Sequence, residues 1–191
     1  MKFSTYNLRT LKSPIQQEAL AKTMKHLHID IAAVQETRLT GVTDMRLGDE
    51  YTLYAGDADH RGVGGCGIAI HRALIDHLVS LHSSSNGKSC TWAISAHAPT
   101  EDADDLDKCS FYDSLARLLT TIPQADNILL GIDQHSSLGQ EAPESSVLGS
   151  WFYQAAETSD NSWRLLQIAE RHGLCLPGTF FRPPGRYSLF T

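Results

Sequence analysis

The sequence predicts a mixed-sheet α/β or α+β sandwich. Several strand-like segments follow one another without a helix between them, which argues against a strictly alternating Rossmann-type chain. Segments with apolar residues at helical spacing indicate helices between and after these strands. No internal repeat or Pro/Gly/Ser-rich linker divides the 191 residues, so one domain over residues 1–191 is expected.

The first third of the chain predicts a strand, a helix and a buried strand. Phe3–Asn7 alternates between apolar and polar residues, as a half-buried strand does. Ser13–Gln16 has the pattern of a capping box with Pro at the first helical position, and apolar residues at helical spacing then predict a helix from about Pro14 to His26. The apolar run Ile29–Glu36 ends on a carboxylate.

The middle of the chain predicts three strands in succession. Tyr51–Gly56 has strand composition, and Arg61–Ile70 is a glycine-rich turn that enters a second strand. Cys90–Thr100 is a third strand, stopped by Pro99.

The last third predicts two helices and two strands. The helices cover about Asp107–Ile122 and about Asn161–His172, the second preceded by the potential caps Ser159 and Asp160. The segment "ILLGIDQHSSLG" begins as a buried strand over Asn127–Asp133, and Leu174–Phe181 is predicted as a strand with a break.

Composition is ordinary for a globular protein, with 41% apolar and 20% charged residues. The formal charge of −6 is weak evidence against non-specific nucleic-acid binding. The four cysteines contain no C-x-x-C pair, which argues against a zinc knuckle or disulfide framework and favours buried, reduced thiols. There is no signal peptide or membrane-length apolar run, so an intracellular protein is expected, nuclear if DNA is its substrate.

Four predicted strands end in residues that can do chemistry: Asn7, Glu36, His97 and Asp133. Polar side chains at the ends of neighbouring strands can converge at one edge of a sheet without disturbing the core. Carboxylate and amide oxygens are the ligands that Mg²⁺ prefers, with water and substrate phosphate completing its coordination. A bound cation would neutralise charge on a phosphate oxygen.

Taken in order, the segments resemble the endonuclease/exonuclease/phosphatase superfamily, and most of all the endonuclease domains of LINE-type non-LTR retrotransposons and their craniofacial-development-protein-like relatives. The resemblance covers nearly the whole chain, and its most specific parts are "VQETR", "HAPTEDADD" and "LLGID". It implies a DNase I-like fold, a four-layer αββα sandwich of two mixed sheets. The active site of such a fold lies at one edge between the sheets.

The resemblance also implies roles for individual residues. Glu36 matches the metal-ligand Glu of "QET", and Asn7 matches an Asn that helps to hold metal and phosphate. Asp133 matches the Asp that orients the attacking water, although Ile132 here separates it from the glycine of the motif. His135 stands where the family has an Asn that stabilises the transition state, and His97 replaces a Tyr that contacts phosphate.

Four further residues and one turn give a less specific signal. Asn161 matches an Asn-rich segment before the last helix, and Arg9, Arg38 and Arg61 lie near the site segments and are candidates for contacts with DNA phosphates. The glycine-rich turn that begins at Arg61 is interpreted as structural, since a lone glycine cluster is weak evidence for a phosphate loop.

The end of the sequence departs from the family pattern. Family members continue through further strands to a Ser-Asp-His motif that supplies the general base, whereas "GRYSLFT" resembles only the start of that tail. The resemblance therefore predicts a C-terminally truncated domain that lacks its last strands. Loss of a positioned base forfeits roughly 10²- to 10⁴-fold in rate. To replace that base, His97 or His135 would have to lie within hydrogen-bond reach of the attacking water. Both align with hydrogen-bond donor positions of the family, which argues against this role.

The resulting prediction is an endonuclease that hydrolyses DNA phosphodiester bonds with Mg²⁺, or Mn²⁺ in its place. In the family such nicking leaves a 3′-hydroxyl that can prime a reverse transcriptase, which this sequence does not contain. Two alternatives stay open. One is a phosphatase or phosphodiesterase of the same superfamily, and the other is a catalytically inactive, decayed fragment of such a nuclease.

Overall fold

A computed structural model describes residues 1–41, 43–56, 58, 64–78, 89–139, 145–152 and 154–182. The chain divides into two compact units, each built from two stretches of sequence. The first unit contains Met1–His97 and Gln124–Asp133, and the second contains Ala98–Pro123 and Gln134–Thr191.

The first unit is built around a mixed five-stranded sheet. Its strand order is β1-β2-β5-β4-β3, with β1 parallel to β2 and all the other pairs antiparallel. The strands are β1 Phe3–Asn7, β2 Ile31–Gln35, β3 Thr43–Leu47, β4 Tyr51–Ala55 and β5 Cys66–His71. A 3₁₀ helix, Arg72–His77, follows β5.

One helix, α1 (Pro14–His26), packs in the hydrophobic core of this unit. The capping box predicted from sequence is present: the Gln16 backbone N–H donates to Ser13 Oγ over 3.3 Å, and the Ser13 backbone N–H donates to Gln16 Oε1 over 3.1 Å. Leu20, Ala21 and Met24 are the buried residues of the helix. They pack with apolar residues of the sheet, including Val34 and Leu53.

A second, two-stranded parallel sheet belongs to the same unit and consists of β6 (Thr91–His97) and β7 (Asn127–Asp133). Both of its strands contact β2. Every residue of β2 is buried, because the two-stranded sheet lies against one face of a strand whose other face contributes to the core beneath α1. The mixed α/β class with two sheets, predicted from sequence, is confirmed.

The second unit contains two helices, α2 (Asp105–Thr121) and α3 (Asp160–His172). It also contains a short parallel pair, β8 (Leu138–Gly139) and β9 (Gln154–Ala155), and a 3₁₀ helix, Pro177–Thr179. The predicted ends of α3 are confirmed: Ser159 caps its N-terminus, and Gly173 ends it in the left-handed conformation with φ of 63°.

Three expectations were wrong. Leu174–Phe181 is not a strand; it is irregular chain leading into the 3₁₀ helix, because Pro177 cannot donate to a strand ladder. Helical spacing predicted one apolar face for α2 through Phe111, Leu115, Leu118, Leu119 and Ile122. Leu118 is exposed instead, because the buried face of the helix runs through Tyr112, Leu115 and Leu119. The four cysteines are free thiols as expected, but Cys109 and Cys175 are exposed.

The sequence did not predict β3, the Arg72–His77 3₁₀ helix or the β8–β9 pair. The glycine-rich turn is seen only from Gly64 onward, and Arg61 lies outside the described residues. Within the described part of the chain, no helix has the length and apolar character needed to span a membrane.

Candidate active site

The polar residues predicted at strand ends converge in the first unit. Because β1 and β2 are parallel and in register, Asn7 lies beside Gln35, the residue that precedes Glu36. In the second sheet, His97 lies beside Asp133 at the ends of β6 and β7. The sheet topology thus brings four side chains from four strand ends to one place.

Asn7 is the hydrogen-bond centre of this group. Its Nδ2 donates to Glu36 Oε1 over 2.7 Å and to Asp133 Oδ2 over 2.5 Å. Its Oδ1 accepts from the backbone N–H of Arg9 over 2.9 Å, which orients the amide. One neutral amide therefore holds two carboxylates from different sheets together.

The turn after β2 places Glu36 in an unusual backbone conformation. Glu36 and Arg38 have φ of 52° and 55°, in the left-handed region, and Thr37 between them is buried. The backbone N–H groups of Thr37 and Arg38 donate to the carbonyls of Gly65 and Gly64 over 3.1 and 2.9 Å. These bonds hold the carboxylate of Glu36 at the end of the strand at the expense of backbone strain.

Hydrogen bonding and nearby cations favour the ionised form of Glu36. The hydrogen bond from Asn7, helped by Arg38 and His97, holds the pKa of the Glu36 carboxyl below its ordinary value despite partial burial. Arg38 Nη2 lies 3.3 Å from Glu36 Oε2, and His97 Nε2 lies 4.0 Å from Asp133 Oδ2. The site therefore combines the ionised carboxylate of Glu36 and the carboxyl group of Asp133 with donors beside them.

Comparison with known proteins gives relatives of two kinds, although no protein-family model matches the chain. Craniofacial development protein 2 of Bos taurus is 25% identical over 192 residues, covering 95% of this chain and 31% of that protein. The same protein of Tragulus javanicus is 26% identical over 192 residues, covering 95% and 32%. The solved endonuclease domain of TRAS1, a telomere-specific non-LTR retrotransposon, matches with a TM-score of 0.53 at 17% identity, covering 88% of this chain and 70% of that one.

The chain has a DNase I-like fold, as the solved endonuclease domain does. It spans about a third of the length of the curated relatives that it matches. The fold predicted from sequence is confirmed by the solved structure, and the predicted similarity to craniofacial-development-protein-like relatives is found as well.

Nucleases with this fold usually use a divalent cation, and the oxygen atoms of Asn7, Glu36 and Asp133 suit such an ion. Glu36 and Asp133 supply carboxylate oxygens and Asn7 supplies an amide oxygen, the hard ligands that Mg²⁺ and Mn²⁺ accept. Two carboxylates bridged by a neutral amide form a region of excess negative charge. The guanidinium of Arg38, itself partly exposed, offsets that charge only in part.

Asn161 and His135 belong to the second unit. Asn161 is fully buried, and its Nδ2 donates to the carbonyls of Pro99 and Gln134 over 2.9 and 3.1 Å. These bonds tie together the segments that follow β6 and β7. His135 comes two residues after Asp133 along the chain and has φ of 44°.

Arg9 and Arg38 lie in the turns just after β1 and β2, which end at Asn7 and Gln35. Arg9 is exposed and, like Arg38, has a left-handed backbone, with φ of 57°. The guanidinium of Arg38 is in contact with Glu36 and retains an exposed surface.

Sequence reasoning missed Gln35, which is buried and hydrogen-bonded to side chains of both sheets. A signal for it exists. Gln35 is the one polar residue of the strand "IAAVQ", in which all five residues are buried. A polar side chain buried in such a strand requires hydrogen-bond partners.

Proposed function

We propose that the chain is a divalent-cation-dependent phosphodiester hydrolase that nicks DNA. The observation that carries the proposal is the bridge from the Asn7 amide to the carboxylates of Glu36 and Asp133. The DNase I-like fold shared with a solved retrotransposon endonuclease domain supports the choice of substrate.

In this proposal Glu36 and Asn7 hold the cation, Mg²⁺ or Mn²⁺, through a carboxylate oxygen and the amide oxygen. The bound ion supplies charge neutralisation at a phosphate oxygen. Asn7 keeps its donors on Glu36 and Asp133, so it fixes the spacing of the two carboxylates.

Asp133 accepts a hydrogen bond from the attacking water and orients it toward phosphorus. As the water oxygen bonds to phosphorus the P–O3′ bond breaks, and the proton lost by the water is returned to O3′ through solvent. His97, whose Nε2 lies 4.0 Å from Asp133 Oδ2, donates to a phosphate oxygen. His135 is the second donor, because in the sequence it stands where the family has an Asn that stabilises the transition state. Asn161 supports the segments after β6 and β7 through its bonds to Pro99 and Gln134.

Two arginines favour a polymeric anionic substrate over a small phosphate ester. Arg9 and Arg38 flank the carboxylates, and both side chains are at least partly exposed. In the proposal both contact DNA phosphates near the cleaved bond. Arg61 is a third candidate for such contacts, on its position in the sequence.

The proposed partner is a reverse transcriptase that uses the nicked end.

Nicking of supercoiled plasmid in Mg²⁺ tests the proposal. Glu36→Gln removes a ligand charge and should reduce nicking by roughly 100-fold or more. Glu18→Gln is the matched control, since Glu18 is exposed on α1 and pairs with Lys22 there. It should nick at the wild-type rate.

Two further arms separate the alternatives. If the chain hydrolyses a p-nitrophenyl phosphodiester but does not nick plasmid, the phosphodiesterase alternative is favoured. A folded wild-type chain that acts on neither substrate would overturn the proposal and leave an inactive relative of such nucleases. Equal nicking by wild type and Glu36→Gln would assign the activity to a contaminant.

A further inference from the structure

Gln35 is a buried polar residue placed where the two sheets of the first unit meet. It is the last residue of β2, and its relative exposure is 1%. Its Oε1 accepts from Thr5 Oγ1 over 3.2 Å, and its Nε2 donates to Ser95 Oγ over 3.0 Å and to the Gly131 carbonyl over 3.2 Å. One amide thus joins β1, β6 and β7 to β2.

Each partner of Gln35 lies two residues before a candidate site residue on its own strand. Thr5 precedes Asn7 in this way, Ser95 precedes His97, and Gly131 precedes Asp133. Residues two apart in a strand lie on the same face of the sheet, one pleat from each other. Gln35 itself is followed directly by Glu36.

At Ala33 and Gly131 the two sheets meet through an apolar contact. Apolar packing is non-directional, so it tolerates small shifts of one sheet over the other, whereas hydrogen bonds fix distances and directions. Ser95 adds a second link, because its Oγ donates to the Val34 carbonyl over 2.9 Å. These bonds fix how far the ends of β6 and β7 lie from the ends of β1 and β2.

We propose that Gln35 is a positioning residue that couples the ends of β1, β6 and β7 to Glu36 and so sets the spacing of Asn7, Glu36, His97 and Asp133. The coupling itself follows from hydrogen bonds within the first unit. Its consequence for cation binding and nicking rests on the proposed function.

Gln35→Met tests the proposal, because it keeps the length of the side chain and removes all three hydrogen bonds. The control is Met24→Ala, which opens a cavity in the core beneath α1 of the same unit and lies outside the site. Both variants are first compared by thermal unfolding, and exchange rates are compared under conditions of equal global stability. This removes any effect of general destabilisation.

Native-state hydrogen exchange of the metal-free protein is the readout that is independent of activity. In Gln35→Met, the amides at the ends of β1, β6 and β7 should exchange roughly 10-fold faster than in the control, since the hydrogen bonds that hold these strand ends are lost. An exchange pattern identical to that of Met24→Ala would overturn the proposal. If Gln35→Met does not fold, Ser95→Ala removes one of the acceptors and is judged by the same criterion.

Binding of Mn²⁺ and plasmid nicking are the second readouts. Loss of a residue that orients the ligands should raise the Kd for Mn²⁺ by roughly 10- to 100-fold and lower kcat, with KM for plasmid unchanged because Arg9 and Arg38 are intact. A wild-type chain that neither binds Mn²⁺ nor nicks DNA would refute the proposed function. The exchange experiment would still decide the role of Gln35.

Discussion

Arg38 Nη2 lies 3.3 Å from Glu36 Oε2, and both residues have a left-handed backbone. Four of the five non-glycine residues with positive φ in the described chain are Arg9, Glu36, Arg38 and His135, each a candidate site residue from sequence. Such conformations cost free energy and concentrate where function requires them. The strain is therefore an independent indication that these segments are functional.

Glycine in place of Glu36 should separate stability from function. Glu36→Gly and Glu36→Ala both remove the carboxylate, so neither should nick DNA in Mg²⁺. Glycine adopts φ of 52° without steric cost, so Glu36→Gly should be more stable than Glu36→Ala by about 1 kcal/mol. Urea unfolding of the two variants measures the difference, and an alanine variant as stable as the glycine variant would contradict the strain.

Gly131 should tolerate no side chain, because the two sheets approach each other closely there. A Cβ at Gly131 would lie 2.3 Å from Ala33 Cβ. Gly131→Ala should destabilise the protein by about 1–3 kcal/mol through overpacking. Adding Ala33→Gly should restore more than half of that loss, as measured by urea unfolding.

Gly178→Ala is the control for this cycle, since nothing lies within 4 Å of a Cβ at Gly178. It should leave stability within about 0.5 kcal/mol of wild type. A double variant no more stable than Gly131→Ala alone would show that Ala33 is not the residue that excludes a side chain.

Asp126, at the start of the two-stranded sheet, should make the free energy of unfolding depend on pH. Its carboxylate accepts from the backbone N–H of Cys90 over 2.8 Å and from Trp92 Nε1 over 2.9 Å, and these bonds hold its pKa below the ordinary value of 3.8. Because the pKa of Asp126 is lower in the folded than in the unfolded state, its carboxylate stabilises the folded state at pH values above the unfolded pKa. That stabilisation is lost as the pH falls through the folded-state pKa.

The difference in unfolding free energy between wild type and Asp126→Asn should therefore be constant near neutral pH and shrink below about pH 3.8. Tryptophan fluorescence during urea unfolding at several pH values measures it. A difference that does not change between neutral and acid pH would show that the charge of Asp126 is not stabilised by these bonds.

Asn161 should matter more for stability than an exposed asparagine. Asn161→Ala leaves the carbonyls of Pro99 and Gln134 without their donor and should cost about 2 kcal/mol. Asn127→Ala, at an exposed position, should change stability by less than about 0.5 kcal/mol. Thermal unfolding compares them, and equal losses would argue against the role given to the Asn161 side chain.

Most of the secondary structure could be predicted because its signals are local. The ends of α1 and α3 follow from Ser13, Ser159 and Gly173, whose side chains or backbone satisfy the helix termini. The strand Thr43–Leu47 was missed although Met45 and Leu47 alternate with the exposed residues Asp44 and Arg46. It is a five-residue edge strand paired with β4, and a stretch that short with two charges gives a weak signal.

The sequence by itself determined the fold class, the resemblance to LINE-type endonuclease domains and the residues at the strand ends, because periodicity, caps and motifs are written in neighbouring residues. Only the tertiary structure decided that Asn7 bridges Glu36 and Asp133, which are 29 and 126 positions away along the chain. It also decided that Gln35 joins the two sheets. Such contacts depend on strand register and sheet packing, which no local pattern specifies.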